Sequence, residues 1–241
     1  MKVDLVFTHQ ELDYMNKKGM IGVAIDVLRA SSTIVTAINS RCASFTPMIS
    51  VEDIVRKAKE NLEGAFILGG EEDGLKPIGF DLGNSPLEYM SNMVKDKHVL
   101  FCSSNGTKTI FGLKGTDDIL IGSFLNVEAV SQEIYNGKKD CLIACAGDFG
   151  LFSLGDTVCG GMIISRLLQK AQTDAYLSDT AEAALILYKV HQLNIRAMLY
   201  GSEWGKHLLE LDLSDDIDFC ANIDEHDVVP RFRNGVIVCG N

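Results

Sequence analysis

The strongest constraint on the fold is a repeated unit. A short apolar run ends in small or charged polar residues and passes into a stretch with helical periodicity. The runs are Val3–Thr8, Ile21–Val27, Ser44–Ile49, Ala65–Gly69, His98–Ser103, Asp118–Gly122 and Cys141–Ala146. Helical patterns lie between them, over Ser32–Asn39, Val51–Asn61, Pro86–Met93, Thr107–Leu113, Val127–Tyr135 and Gly155–Gln169. Strands alternating with helices predict an α/β architecture, a mostly parallel sheet with helices on both faces. From about Asp179 the pattern changes. Helices over Thr180–His191 and Ile195–Leu209 follow one another, and then "DIDFCANI" and "VVPRFRNGVIVCG" read as strands, with Asn234-Gly235 as a hairpin turn. This predicts a small antiparallel addition near the C-terminus. No proline-rich or low-complexity segment marks a linker, so residues 1–241 read as one unit, with the change near 179 leaving two lobes open.

A chain of 241 residues, 46% hydrophobic and 23% charged, can bury a sizeable core without disulfides or a metal. Its net charge of -11 repels phosphate backbones, which argues against nucleic acid as a partner. An anionic small ligand would need a local positive site or a metal. The seven cysteines are odd in number and most sit inside apolar runs such as "CLIACAG", the pattern of reduced thiols in the cytoplasm. No apolar run approaches the ~20 residues of a membrane span, so no membrane partner is expected, and "MKVDLVFTHQ" reads as a first strand. The apolar run "AALILY" leaves both a core and a homo-oligomer contact open, the core being the simpler expectation.

In open α/β sheets ligands bind where strand C-termini turn into helices. Asp26 ends the second run, Arg29 follows, and Ser31, Ser32 and Thr33 open the next helix. A helix start offers free N–H groups and partial positive charge, hydroxyls add donors, and a guanidinium can hold two oxygens at once. The stretch therefore reads as a phosphate cradle beside a carboxylate. A helix needs only one cap, and three hydroxyls with Arg and Asp exceed that need. The segment "LGGEEDGLKPIGFDLGNSP", residues 68–86, places Glu71 at a strand end, with Asp81 and Asn84 as further oxygen donors suited to Mg²⁺. In "LFCSSNGTKTI" a strand again ends in small polar residues, and Ser104, Asn105, Gly106 and Thr107 could hold the other end of an anionic substrate. In the fourth place, Asp148 follows a strand and Asp156 opens a helix, as a metal ligand or as a partner of the helix dipole; Gly160-Gly161 inside that helix suggests close packing on another backbone.

The absences are informative. There is no G-x-x-x-x-G-K-[ST], no G-x-G-x-x-G and no G-x-S-x-G. Leu28 stands where an Asp-x-Asp nucleophile motif needs its second Asp, and Lys108 stands where a cysteine-phosphatase loop starting at Cys102 would need Arg. No histidine is assigned a catalytic role.

Taken in order, "DVLRASST" (26–33), "GGEEDGLKPIGFDLGNSP" (69–86), "SSNGT" (103–107), "CAGDFG" (145–150), "LGDTVCGG" (154–161), the late "DIDFC" and Pro230 resemble the 2-phosphosulfolactate phosphatase family. The likeness implies Mg²⁺-dependent release of phosphate from 2-phosphosulfolactate, a step towards coenzyme M, on an α/β fold apart from the common phosphatase superfamilies. Metal-assisted hydrolysis of a phosphate monoester is the reading that fits these residues, with Asp26 and Arg29 as catalytic residues and Asp26 as metal ligand, base or nucleophile. Ser31, Ser32, Thr33, Asn84, Ser104, Asn105, Gly106 and Thr107 would bind substrate, and Glu71, Asp81 and Asp156 would hold the metal. Gly155 departs from the pattern, where a Glu before Asp156 is expected. A non-catalytic module binding a phosphorylated metabolite, and an isomerase, are the competing readings.

Overall fold

The computed structural model describes residues 1–60, 66–171 and 175–240. The chain runs β1 (Lys2–Val6), β2 (Met20–Ile25), α1 (Ala30–Asn39), β3 (Ser44–Pro47), α2 (Val51–Glu60), β4 (Phe66–Gly70), α3 (Ser91–Val94), β5 (His98–Cys102), α4 (Gly106–Gly112), β6 (Asp118–Gly122), α5 (Val127–Gly137), β7 (Asp140–Cys145), α6 (Leu154–Ala171), β8 (Tyr176–Leu177), α7 (Asp179–His191), α8 (Ile195–Gly201), α9 (Glu203–Glu210), α10 (Ser214–Cys220), β9 (Pro230–Arg233) and β10 (Val236–Cys239). Tight 3-10 turns cover His9–Tyr14, Pro86–Tyr89 and Phe124–Asn126. The expected helix end at Asn61 and strand start at Ala65 lie outside the described residues.

All ten strands form one sheet in the order β4-β5-β3-β10-β9-β6-β2-β7-β1-β8. β4, β5 and β3 are mutually parallel, and so are β6, β2, β7, β1 and β8. The antiparallel hairpin β9–β10 stands between these two groups, bonded to β6 on one side and β3 on the other. The antiparallel element is thus the join of two parallel half-sheets. Asn234 and Gly235 both have positive φ (53° and 86°), as a two-residue hairpin turn requires.

The pleat explains the layers. In β2, Ile21, Val23 and Ile25 face one core with β1, β7 and helices α5 to α10. Met20 and Ala24 face a second core that draws residues from both half-sheets around α1. Alternate side chains of a strand point to opposite faces, so an apolar run throughout β2 marks a strand covered on both. Every residue of α1 from Ala30 to Ile38 is buried. The helix packs on β3, β6, β9 and β10 as well as on α4 and the 86–89 turn. Residues just beyond β2, β4 and β5 meet in one chamber.

Three expectations are corrected. "DIDFC" is the helix α10. Its Asp-Ile-Asp-Phe alternation mimics a strand, but Asp216, Ile217 and Cys220 are buried at helical spacing and acids occupy its first turn, where the dipole favours them. Ile195–Leu209 is two helices, because the Ser202 hydroxyl accepts from the Gly205 N–H and starts α9 afresh. Pro86–Met93 is a 3-10 turn followed by the short α3. The two-residue strand β8 has no periodic signal to announce it.

The close approach expected at Gly160-Gly161 is present. A Cβ on Gly161 would lie 2.1 Å from the Ala184 carbonyl oxygen of α7. Gly161→Val will therefore destabilise the fold by about 1–3 kcal/mol, read as a lowered melting temperature. Gly201→Ala, where an added Cβ meets nothing, is the control that stays near wild type.

Candidate active site

Asp26 follows the last residue of β2, and the loop 26–29 turns directly into α1. The structure resolves what the three hydroxyls there do. Ser31 Oγ donates to the Asp26 carbonyl (2.8 Å), Ser32 Oγ to the Val27 carbonyl (2.8 Å) and Thr33 Oγ1 to the Asn84 carbonyl (2.8 Å). All three are buried. A hydroxyl inside a protein must be hydrogen-bonded, and these satisfy that rule by pinning the loop and the 84–85 turn. Their protons are engaged, so they are not the phosphate donors expected from the sequence. Thr107 is corrected for the same reason. It is fully buried, its hydroxyl donates to the Ser103 carbonyl (2.9 Å) and its N–H to Ser103 Oγ (3.1 Å).

Arg29 is buried. Its Nη1 donates to Asp216 Oδ2 (2.6 Å) and its Nη2 to the Gly74 carbonyl (2.6 Å), while the Ser85 hydroxyl donates to Asp216 Oδ1 (2.5 Å). One guanidinium thereby ties together the α1 start, the 71–76 loop, the 84–85 turn and α10. Glu71 is a second knot. Its Oε2 accepts from the Gly74 N–H (2.8 Å) and its Oε1 from the Ser104 N–H (2.6 Å). Asp156 Oδ1 accepts from the Val27 N–H (2.8 Å) and Oδ2 from the Gly147 N–H (3.3 Å).

These knots enclose a small chamber lined by Asp26, Leu28, Arg29, Glu71, Asn84, Ser104, Asn105, Asp148 and Trp204, with a volume of about 10 Å³, room for one water molecule. Glu71, Ser104 and Asn105 also line an open cleft of about 630 Å³. They form the threshold between the two. His9, Gln10, Lys108, Phe149 and Gly150 also line the cleft. Gly106 approaches through its backbone: a Cβ there would lie 2.5 Å from Asp26 Oδ2, so only glycine lets α4 start so close to that carboxylate.

Asp26, Arg29, Glu71, Asn84, Ser104 and Asn105 are thus brought together as expected. Asp81 is not. It is exposed and accepts from the Leu68 N–H (2.8 Å), closing the free edge of β4. Asp148 and Asp216 join the site without having been singled out for it. Asp148 obeys the same strand-end rule as Asp26, one residue after Gly147 beyond β7. Asp216 has no local signal, being 187 positions from the arginine it holds.

Acids crowd this space. Burial, then Glu71 and Asp148, push the Asp26 carboxyl up to about 7, against the Ala30 N–H and Arg29, which favour its charge. Burial likewise pushes Asp148 up to about 6, against a hydrogen bond from Ser153. Burial, Asp26 and Asp148 hold Asp156 well above the usual carboxylate range. A hard divalent cation fits these donors. They are all oxygen, negative charge is in excess, and Asn84 Oδ1 is buried with no hydrogen-bond partner among the described residues. Among the described residues no three His, Cys, Asp or Glu side chains converge tightly enough to hold an ion alone.

Fold and site are those of an α/β protein with a polar chamber at its strand ends, the place where such sheets bind small ligands. The comparisons carry this to a family. A model described as 2-phosphosulpholactate phosphatase matches residues 6–235. A probable 2-phosphosulfolactate phosphatase of Clostridium acetobutylicum is 38% identical over 238 residues, 99% of this chain and 100% of that one. Proteins of the same description from Clostridium novyi and Caldanaerobacter subterraneus are 38% and 35% identical, over 97% and 95% of each chain. The chain belongs to the 2-phosphosulfolactate phosphatase family, and through it to the phosphoric monoester hydrolases.

The raised Asp26 carboxyl has a stability consequence with a definite sign. The native state binds this proton more tightly than the unfolded chain, so stability falls as pH rises from about 4 to about 7. In EDTA at pH 8, Asp26→Asn will melt about 3 °C or more above wild type, and the gap will close near pH 4. Melting curves across pH check this, and a gap independent of pH would contradict it.

Proposed function

We propose that this chain hydrolyses 2-phosphosulfolactate to sulfolactate and phosphate, with Mg²⁺ as its cation. The observation that carries the reading is the single chamber shared by Asp26, Arg29 and Glu71 at the strand ends, opening over Ser104 and Asn105 into a cleft large enough for the ester. The names of the relatives supply the substrate.

The sizes suggest the assignment of parts. The chamber takes one water, so the phosphoryl group lies across the Glu71–Ser104–Asn105 threshold and the leaving alcohol lies in the cleft. Asp26, on the chamber wall and raised to about 7, would take the proton of a water entering there, as general base. Arg29 faces the transferring group and stabilises the charge that spreads over its oxygens, the main demand of phosphoryl transfer. Asp216 and the Gly74 carbonyl fix the plane of that guanidinium. Glu71 and Asn84 Oδ1 would hold the Mg²⁺, with Asp156 behind them setting the 26–29 loop. When bound, the ion would neutralise the crowded acids and polarise the phosphoryl oxygens.

All seven cysteines are free thiols and no helix among the described residues is long and apolar enough to cross a membrane. With these we assign the reaction to the cytoplasm, and by family to the route towards coenzyme M.

Purified protein will release phosphate from 2-phosphosulfolactate, EDTA will abolish the release and Mg²⁺ will restore it. Tight binding without turnover would make the chain a binding module, and chelator-resistant turnover would remove the metal from the proposal. Taking away Arg29 alone would strand a buried Asp216 without its partner, at about 3–5 kcal/mol. The informative variant is therefore Arg29→Gln with Asp216→Asn. Its kcat/KM will fall about a hundredfold or more, with circular dichroism showing that it is folded.

A further inference from the structure

A dianionic or trianionic ester must approach a cleft whose charged lining is mostly acidic: Glu71, Glu72 and Asp73. The site's buried guanidinium does not serve the outer cleft. Arg29 lines only the inner chamber, and two of its nitrogens are engaged by Asp216 and Gly74. His9 lines the cleft with its Nδ1 3.1 Å from the Ala146 carbonyl, a contact in which Nδ1 is the donor. Among the described residues, the one Lys or Arg lining the cleft is Lys108.

Its position is specific. Lys108 stands in the first turn of α4, three residues after the cap residue Asn105, and lines the same cleft as the threshold residues Ser104 and Asn105. Lys108 is exposed, and among the described residues it has no ion-pair or hydrogen-bond partner. It thus shares with the threshold residues the cleft in which the reading above puts the part of the substrate beyond the phosphoryl group.

We infer that Lys108 is a specificity-determining residue, holding the second anionic group of the substrate, a sulfonate or carboxylate carried near the phosphate ester. The inference rests on the hydrolase reading above and names what that reading leaves open, how the enzyme prefers an ester with a second charge. Lys108 touches the non-reacting end of the substrate. Its contribution is made equally in ground and transition states, so it acts on KM and leaves kcat largely alone.

The test compares wild type, Lys108→Met and Lys108→Arg on four esters: 2-phosphosulfolactate, 2-(phosphonooxy)ethanesulfonate, phosphoglycolate and phenyl phosphate. The ratio of kcat/KM for a doubly functional ester to that for phenyl phosphate will fall about tenfold or more in Lys108→Met, since a charge-assisted bond of this kind is worth about one such factor or more. The fall will appear in KM, and Lys108→Arg will recover most of it. A loss that spares phosphoglycolate identifies the sulfonate as the group held, and one that spares 2-(phosphonooxy)ethanesulfonate identifies the carboxylate. An equal loss on phenyl phosphate, or no loss on any ester, overturns the inference. If wild type hydrolyses none of the four, the hydrolase reading fails separately. Lys108 is then judged by calorimetric binding of sulfolactate, where a tenfold weaker affinity in Lys108→Met supports the role and equal affinity overturns it.

Discussion

The structure depends on the burial of α1. A helix buried on every side must be apolar all round or have its polar groups satisfied locally. Ile34, Val35, Ala37 and Ile38 meet the first condition, and Ser31, Ser32, Thr33 and Thr36 meet the second by donating to backbone carbonyls. α1 spans the join of the two half-sheets, packing on β3, β6, β9 and β10. Residues at its start share a chamber with residues beyond β4 and β5, strands well separated from β2 in the sheet order. Chemistry at this site is therefore a product of one helix's packing.

Charge is arranged around that helix in two ways. Arg29 and Asp216 neutralise each other in a buried pair whose remaining hydrogen bonds come from Ser85 and go to Gly74. Such a pair adds little to stability by itself, but it fixes where a guanidinium points. Among the described residues Asp26, Asp148 and Asp156 have no ion-pair partner, and backbone N–H groups only partly offset their crowding. The fold tolerates them in a space next to an unpartnered amide oxygen, an electrostatic frustration of the sort found at functional sites.

Much of this is legible in the sequence, and the misreadings have physical causes. The β2 run is apolar on both faces and ends at Asp26, so strand, two-sided burial and site follow from one rule. The same rule finds Glu71. It fails for the hydroxyls because sequence cannot tell a free hydroxyl from one satisfied by a carbonyl, and that difference is set by how deeply α1 is buried. Asp81 sits in the same motif as Glu71, yet the chain reverses between them and leaves it on the outer edge of β4. Asp216 pairs across the length of the chain, where no local pattern reports it. In "DIDFC", period-two alternation over a few residues is shared by a strand and by the buried stripe of a short helix.

The hairpin β9–β10 lies later in the chain than every strand it connects. During synthesis β4, β5 and β3 can pair with one another, and β6, β2, β7 and β1 can do likewise, but each set keeps one unsatisfied edge until residues 230–239 emerge from the ribosome. Two exposed edges flank the gap meanwhile, each able to recruit a foreign strand. For a nascent chain of this family, the hazardous interval is the one just before that ribbon slots in and zips the halves together.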